Sequence, residues 1–164
     1  MRFYSIGVML ALVLALSGCA SKFKTYNGPE VTRVVVMKSD RKMYLFHNDK
    51  VLERYDIDLG FAPAGHKQFE GDGKTPEGRY LIDRRNPNSS FHLSIGLSYP
   101  NAEDIAAARA LGKSPGGDIF IHGDAKPLAK RGEDWTAGCI SVSNREIEWI
   151  YAMVKNGTVV DIYP

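Results

Sequence analysis

The segments I-H-G-D-A-K (residues 121–126) and W-T-A-G-C-I-S-V-S-N (residues 135–144), separated by a short charged loop, organise this sequence. The first segment places His122 at the end of an apolar run, and the second places Cys139 directly after Gly138. A thiol is a useful nucleophile only as its thiolate, and a nearby imidazole is the usual means of forming one. A glycine before the cysteine lets a substrate approach closely and lets the N–H groups of Gly138 and Cys139 face a developing oxyanion. The pattern therefore predicts a cysteine nucleophile with a histidine base.

Residue types alone leave other roles open for these side chains. A lone cysteine is often a small buried hydrophobe, and a lone histidine is often a satisfied strand residue. A metal site built from His122, Asp124 and Cys139 is a further alternative, but these residues lack a recognised metal spacing. His92, in another predicted strand, is a second candidate for the base. We expect no metal and no cofactor.

The surroundings of the two segments extend the pattern. H-G-D followed, after a loop, by T-x-G-C-I-S-V-x-N and a helix resembles the active-site signature of the L,D-transpeptidases, the YkuD-type cysteine enzymes of the bacterial cell wall. Further similar segments are G-D-G-K-T-P-E-G-R-Y (residues 71–80), R-N-P-N-S-S-F-H-L-S-I-G-L-S-Y-P-N (85–101) and S-P-G-G-D-I-F-I-H-G (114–123). The resemblance covers nearly everything from about residue 31 to the end. Ala137 departs from it, because many members have a histidine at this position.

The resemblance implies a substrate and a set of roles. Cys139 would attack the carbonyl of a diamino acid linked to a terminal D-alanine in a peptidoglycan stem peptide, with His122 as general base and then general acid. The carbonyl of Gly123 would orient the imidazole, and Asp124, close in sequence, is a weaker candidate for that role. Side chains expected to line the substrate groove are Tyr99, Trp135 and Thr136, although an aromatic ring at a strand edge is also a common packing residue.

The thioester formed on the cysteine has two possible fates. An amine of a neighbouring stem, or a lysine of an envelope lipoprotein, gives transfer, whereas water gives hydrolysis by an L,D-endopeptidase, a carboxypeptidase or an amidase that releases wall-linked lipoprotein. Exclusion of water from the pocket decides between them, and Ala137 keeps hydrolysis open. A third alternative, of a different class, is a non-catalytic wall-binding lipoprotein that keeps the fold.

The N-terminal residues predict export and lipidation. Residues 1–18 combine a basic start, an apolar run too short for a membrane span and small residues before the cut, which is typical of a secretory signal. L-S-G-C (residues 16–19) resembles a bacterial lipobox, which makes Cys19 the lipidated N-terminus, and a plain signal cleaved at residue 20 is the alternative. Such an anchor holds a protein on a membrane without spanning it. Since no acidic retention signal follows, we expect a periplasmic protein on an outer membrane.

The cysteine count and the charge balance narrow the protein classes. The sequence has two cysteines, so lipidation of Cys19 leaves Cys139 unpaired in an oxidising compartment, where catalysis is a reason for a free thiol to persist. A disulfide between Cys19 and Cys139 is the alternative to a free thiol, and acylation of Cys19 excludes that disulfide. Without residues 1–18 the chain carries 20 basic and 19 acidic side chains, so its charge gives no case for nucleic-acid binding.

Residues 31–164 are predicted to form one catalytic domain behind a lipidated N-terminus and short polar linker, residues 19–30. The 16 glycines and 8 prolines favour short strands joined by turns. Predicted strands are residues 31–37, 43–46, 51–59, 79–83, 91–97, 118–122 and 158–163, and predicted helices are 102–111 and 145–155. The fold class is therefore mainly β, a curved mixed sheet or sandwich with two α-helices. The long loop 60–78 is either functional or a solvated surface loop.

Overall fold

The computed structural model describes residues 21–124 and 132–164. The predicted signal segment and the predicted lipidation site Cys19 lie outside the described residues. Every helix within the described ranges is too short or too polar to cross a membrane.

Eight strands form one curled mixed sheet in the order β3-β2-β1-β8-β4-β5-β6-β7. Neighbouring strands are antiparallel except at two places, where β1 lies parallel to β8 and β6 lies parallel to β7. The strands are β1 (Arg33–Met37), β2 (Lys42–His47), β3 (Lys50–Asp56), β4 (Gly78–Asn86), β5 (Ser94–Leu97), β6 (Phe120–His122), β7 (Ile140–Ser141) and β8 (Val159–Tyr163).

The first three strands form an antiparallel meander. Val34 and Val36 of β1 are fully buried, and so are Met43 and Leu45 of β2, whereas the residues between them are partly exposed. Successive side chains of a strand point to opposite faces, so this alternation puts one face of the meander in the core. The apolar period in the sequence therefore determines the local structure here.

The other half of the sheet begins later than predicted at two strands. Asp118 has φ +55° and His92 has φ +70°, so both lie in the left-handed region. A residue in that conformation does not continue an extended ladder, and β6 and β5 start only at Phe120 and Ser94. β7 has only two residues and was not predicted, because so short a strand has no period of its own.

Two helices are present in the described residues, α1 (Ala102–Ala110) and α2 (Asn144–Met153). Asn101 caps α1 and Ser143 caps α2, each with a reciprocal capping box. Ile147 and Ile150 of α2 are fully buried, and the helix packs against β5 and β6. The predicted helices are confirmed, with α2 ending two residues early, at Met153.

Residues 22–26, part of the predicted linker, contact the domain. The Nζ atom of Lys22 donates to the carbonyls of Pro87 and His92, at 2.7 and 3.0 Å. Lys24 forms an ion pair with Glu148 of α2, 3.0 Å long. The segment therefore lies along the domain, because its cations find carbonyl and carboxylate partners there.

Candidate active site

His122 ends β6 and is only 3% exposed. Its Nδ1 lies 2.6 Å from the carbonyl oxygen of Gly123. Since a carbonyl oxygen only accepts, Nδ1 donates in this hydrogen bond, and Nε2 is the basic nitrogen whenever the ring carries a single proton. The structure thus places Gly123 where the family resemblance predicted the group that orients the imidazole.

Two aromatic rings hold the imidazole plane. The ring centroid of Phe91 lies 4.4 Å from that of His122, and the centroid of Trp135 lies 5.6 Å away in an edge-on arrangement. Trp135, which was predicted to line the substrate groove, contacts the histidine but lines a neighbouring pocket with Asp124 and Ser141. Phe91 was not identified from the sequence, because an aromatic in a turn carries no periodic signal.

Gly123 has no room for a side chain. A Cβ atom here would lie 2.5 Å from Oδ1 of Asn144 and 3.0 Å from the carbonyl oxygen of Phe91. The same Oδ1 of Asn144 accepts the backbone N–H of Asp124 at 2.7 Å. Asn144, at the start of α2, therefore fixes the turn that follows the histidine.

Cys139 and His122 line one cavity of about 430 Å³. The sulfur lies 3.4 Å from the backbone nitrogen of Phe120, which donates to it, and 3.4 Å from the carbonyl oxygen of Asp118. The other walls are Asn86, Ser89, Ser90, Phe91 and Ser94. Because His122 pairs with Ser141 across β6 and β7, the side chains of His122 and Cys139 leave the sheet on the same face.

Burial raises the pKa of the Cys139 thiol above its ordinary value. The N–H of Phe120 and the cation of Lys67 oppose this rise, and the negative charge of Asp118 adds to it. Lys67 is itself buried, 2.9 Å from a carboxylate oxygen of Asp72. Burial and the charge of Asp118 thus favour the neutral thiol over the thiolate, so a nearby base would assist ionisation of this sulfur.

Thr136 organises the turn before Cys139. Its Oγ1 donates to the carbonyl of Cys139 at 2.7 Å and accepts the N–H of Gly138 at 3.1 Å. The residue was predicted to line the substrate groove, but it lies outside the cavity lining and its hydroxyl is engaged within the turn. The N–H of Gly138 is likewise engaged, which is at odds with its predicted place in an oxyanion hole. Of the predicted pair, the N–H of Cys139 remains as the candidate donor.

The long loop 60–78 packs behind this turn. Gly138 has φ +138°, and a Cβ atom on it would lie 2.7 Å from the carbonyl oxygen of Lys74. Phe61 donates to the carbonyl of Thr136 at 2.9 Å, and the N–H of Thr136 donates to Leu59 at 3.1 Å. The loop therefore packs directly against the turn that precedes Cys139 and restrains it.

Other predicted site residues lie elsewhere. Tyr99 is 4% exposed and donates to the carbonyl of Pro115 at 2.8 Å, so it belongs to the core and does not line the groove. His92 is 2.9 Å from Glu148 of α2, and its ring faces that helix and not the cavity. His92 was the alternative base because it was predicted to lie in a strand, but its φ of +70° does not fit an extended strand. Ala137, at the position of the usual histidine, is exposed.

The metal alternative required His122, Asp124 and Cys139 to meet at one point. His122 and Cys139 line one cavity, whereas Asp124 lines the neighbouring pocket with Trp135. In residues 21–124 and 132–164, no group of three or more His, Cys, Asp or Glu side chains could hold a metal ion. What the geometry brings together is a thiol and an imidazole beside one cavity.

Two bacterial proteins are similar to this chain in sequence. YafK of Escherichia coli K12, provisionally named an L,D-transpeptidase, is 30% identical over 144 residues, which cover 80% of this chain and 53% of YafK. YkuD of Bacillus licheniformis, provisionally named in the same way, is 28% identical over 132 residues, 80% of this chain and 66% of that protein. The chain thus spans about half to two thirds of the length of these relatives.

Two solved structures are similar to this chain in fold. The helical cell shape determining protein Pgp2 of Campylobacter jejuni, crystallised as a K307A mutant, is 28% identical with a TM-score of 0.64 over 91% of this chain and 52% of Pgp2. Mycobacterium tuberculosis L,D-transpeptidase 1 shares the fold at 15% identity, with a TM-score of 0.53 over 82% of this chain and 62% of that one. The family profile of YkuD, the L,D-transpeptidase catalytic domain, matches residues 31–162. With this match and the site geometry, the chain belongs to the YkuD family of L,D-transpeptidase catalytic domains.

Proposed function

We propose that this protein is a cysteine-dependent peptidoglycan L,D-transpeptidase with Cys139 as nucleophile and His122 as base. The observation that carries the proposal is that the sulfur and the imidazole open into one cavity on the same face of the sheet. Nε2 of His122 takes the thiol proton as the sulfur attacks the carbonyl that links a diamino acid to D-alanine. The thioester bond forms, the amide bond breaks, and the same proton leaves with the amine of D-alanine.

The backbone N–H of Cys139 is the donor that we assign to the oxyanion. In comparable enzymes the loss of one such donor costs about 2.7–4 kcal/mol of transition-state stabilisation. An amine of a second stem peptide, or a lysine of an envelope lipoprotein, then attacks the thioester and restores the thiol. Hydrolysis by water is the second candidate function, and it is favoured by Ala137, an exposed small side chain at the position where many family members have a histidine.

We also propose export to the periplasm and lipid anchoring at Cys19, probed by mass analysis of the membrane-extracted protein for a diacylglycerol-modified residue. The described residues support a short attachment, since residues 22–24 lie along the domain next to the loop that carries Pro87 and His92. The anchor would therefore hold the catalytic cavity close to the membrane surface.

Intact-mass analysis tests the nucleophile. After incubation with a stem tetrapeptide, the protein should gain the mass of the peptide minus D-alanine, and with a carbapenem the mass of the drug. Cys139→Ala should gain neither. A non-catalytic binding module would bind wall fragments with or without this substitution and would form no adduct, which would refute the proposal.

Thiol alkylation against pH tests the base. His122→Ala should lower the alkylation rate near neutral pH, because burial holds the thiol protonated without a base. His92→Ala is the matched control, since its ring contacts Glu148 and leaves the thiol unaffected. A change in the control alone would refute the assignment. Profiling of wall fragments with and without the protein then separates transfer, which adds cross-links or linked lipoprotein, from hydrolysis, which removes them.

A further inference from the structure

A bulge in β4 turns Arg84 toward the face of the sheet that carries the catalytic cavity. Ile82 pairs with Leu97, but Arg84 pairs with Gly96, so one extra residue, Asp83, sits in β4. Without that residue, Arg84 would lie on the same face as the buried Ile82. A one-residue shift moves a side chain to the opposite face, and bulges near active sites commonly have this effect.

The guanidinium then extends toward the nucleophile across two strands. Gly96 provides the space, because a Cβ atom there would lie 2.5 Å from Cγ of Arg84. Gly96 pairs in turn with Phe120, whose ring lies 4.6 Å below the guanidinium carbon. Phe120 is the residue whose N–H contacts Sγ of Cys139. Arg84 is therefore fixed over the wall of the catalytic cavity.

Asp118 brings the opposite charge to the same wall. It lines the cavity, its carbonyl oxygen lies 3.4 Å from the sulfur, and its carboxylate lies 3.1 Å from Arg84. The carboxylate is 88% exposed and the arginine side chain 40% exposed. Such an ion pair contributes little to stability. The negative charge also disfavours the thiolate of Cys139, so neither stability nor activation of the thiol explains its position.

We infer that Arg84 and Asp118 form a specificity subsite for a free amino-acid end of the substrate, a carbon that bears both an ammonium and a carboxylate. This inference rests on the proposed function, and the free side-chain end of a diamino acid in a stem peptide has this chemistry. Arg84 binds the carboxylate through its fork of N–H donors, and Asp118 binds the ammonium. Since the pair is exposed, opening it for a ligand costs little.

Two synthetic tetrapeptides test the subsite. They differ only at the third residue, which is meso-diaminopimelate in one and L-lysine, without the second carboxylate, in the other. The wild-type chain should form the Cys139 thioester with the first peptide with a kcat/KM roughly 10- to 100-fold higher, the range for a charge-assisted hydrogen bond. Arg84→Gln should remove this preference by slowing only the diaminopimelate peptide. Asp118→Asn, which keeps a residue tolerant of a positive φ, should slow both peptides.

Arg54→Gln on β3, at the other edge of the sheet, is the matched control and should leave the preference unchanged. Acylation by a carbapenem at the wild-type rate shows that the site of each variant is intact. A preference retained in Arg84→Gln, or absent from a wild-type chain that forms adducts with both peptides, overturns the subsite but leaves the proposed function standing. A wild-type chain without any adduct overturns both.

Discussion

The packing of the nucleophile turn against the loop 60–78 makes Gly138→Ala the most informative perturbation. The new methyl carbon would lie 2.7 Å from the carbonyl oxygen of Lys74 and 3.3 Å from Cδ1 of Ile119. The first separation is far inside van der Waals contact with a backbone atom, so the loop or the turn must move. Overpacking of this kind costs about 1–3 kcal/mol, and a positive φ at a non-glycine residue costs about 1–3 kcal/mol more.

We therefore expect Gly138→Ala to lower the free energy of unfolding by roughly 2–6 kcal/mol. Gly71→Ala is the control, because Gly71 has φ +84° in the same loop and a methyl group added there would have no atom within 4 Å. It should lose only about 1–2 kcal/mol, the cost of the left-handed conformation. Urea denaturation of both variants measures the difference, with the slope of the transition checked for a change in the unfolded state.

The activity of the two variants should differ more than their stability. A displaced turn shifts Sγ and the N–H of Cys139 relative to His122, so thioester formation by Gly138→Ala should fall well below that of Gly71→Ala under conditions where both are folded. Equal losses of stability and of activity in the two variants would refute the conclusion that the loop supports the nucleophile through this contact.

Three further outcomes follow from the site. Burial raises the pKa of the Cys139 thiol, so its alkylation rate without substrate should keep rising above the pH at which an ordinary cysteine ionises. The free energy of unfolding should fall in the same pH range, because the thiol of the unfolded chain ionises first. Lys67→Met removes the cation beside the buried Asp72, so unfolding experiments should show a loss of about 3–5 kcal/mol and alkylation should require a still higher pH. Asn144→Ala leaves the N–H of Asp124 without its acceptor and should cost about 1–3 kcal/mol in thermal denaturation, whereas Asn144→Asp should retain most of the stability.

The choice of base shows how far local reasoning extends. His122 and His92 both stand in apolar surroundings, and the sequence pattern favoured the first because of its neighbours H-G-D. The structure separates them through φ +70° at His92 and its contact with Glu148, which is 56 residues away in the chain. Long-range contacts of that kind depend on how α2 packs on the sheet, and no local sequence pattern encodes that packing.

For the residues predicted to line the substrate groove, local reasoning did not give their position in the fold. Tyr99 and Thr136 were expected to meet substrate from their types and positions, yet both are buried and hydrogen-bonded within the domain. Residues of the actual cavity wall, such as Phe91 and Asp118, were not identified. Their positions follow from residues in left-handed conformations and from strand register, and neither leaves a period in the sequence.

Local sequence was enough to predict the mainly β class, both helices, and the cysteine and the histidine that line one cavity in the fold. These features depend on apolar periods, capping residues and a short motif, all of which act over a few neighbouring residues. Three features emerged only from the folded chain: the face of the sheet that bears the cavity, the support of Gly138 by the loop 60–78, and the bulge at Asp83 that turns Arg84 toward Cys139. Strand register explains why local sequence did not predict these features. One extra residue in a strand moves every side chain beyond it to the opposite face of the sheet. The energy of that shift is small and depends on distant residues, so composition does not reveal it.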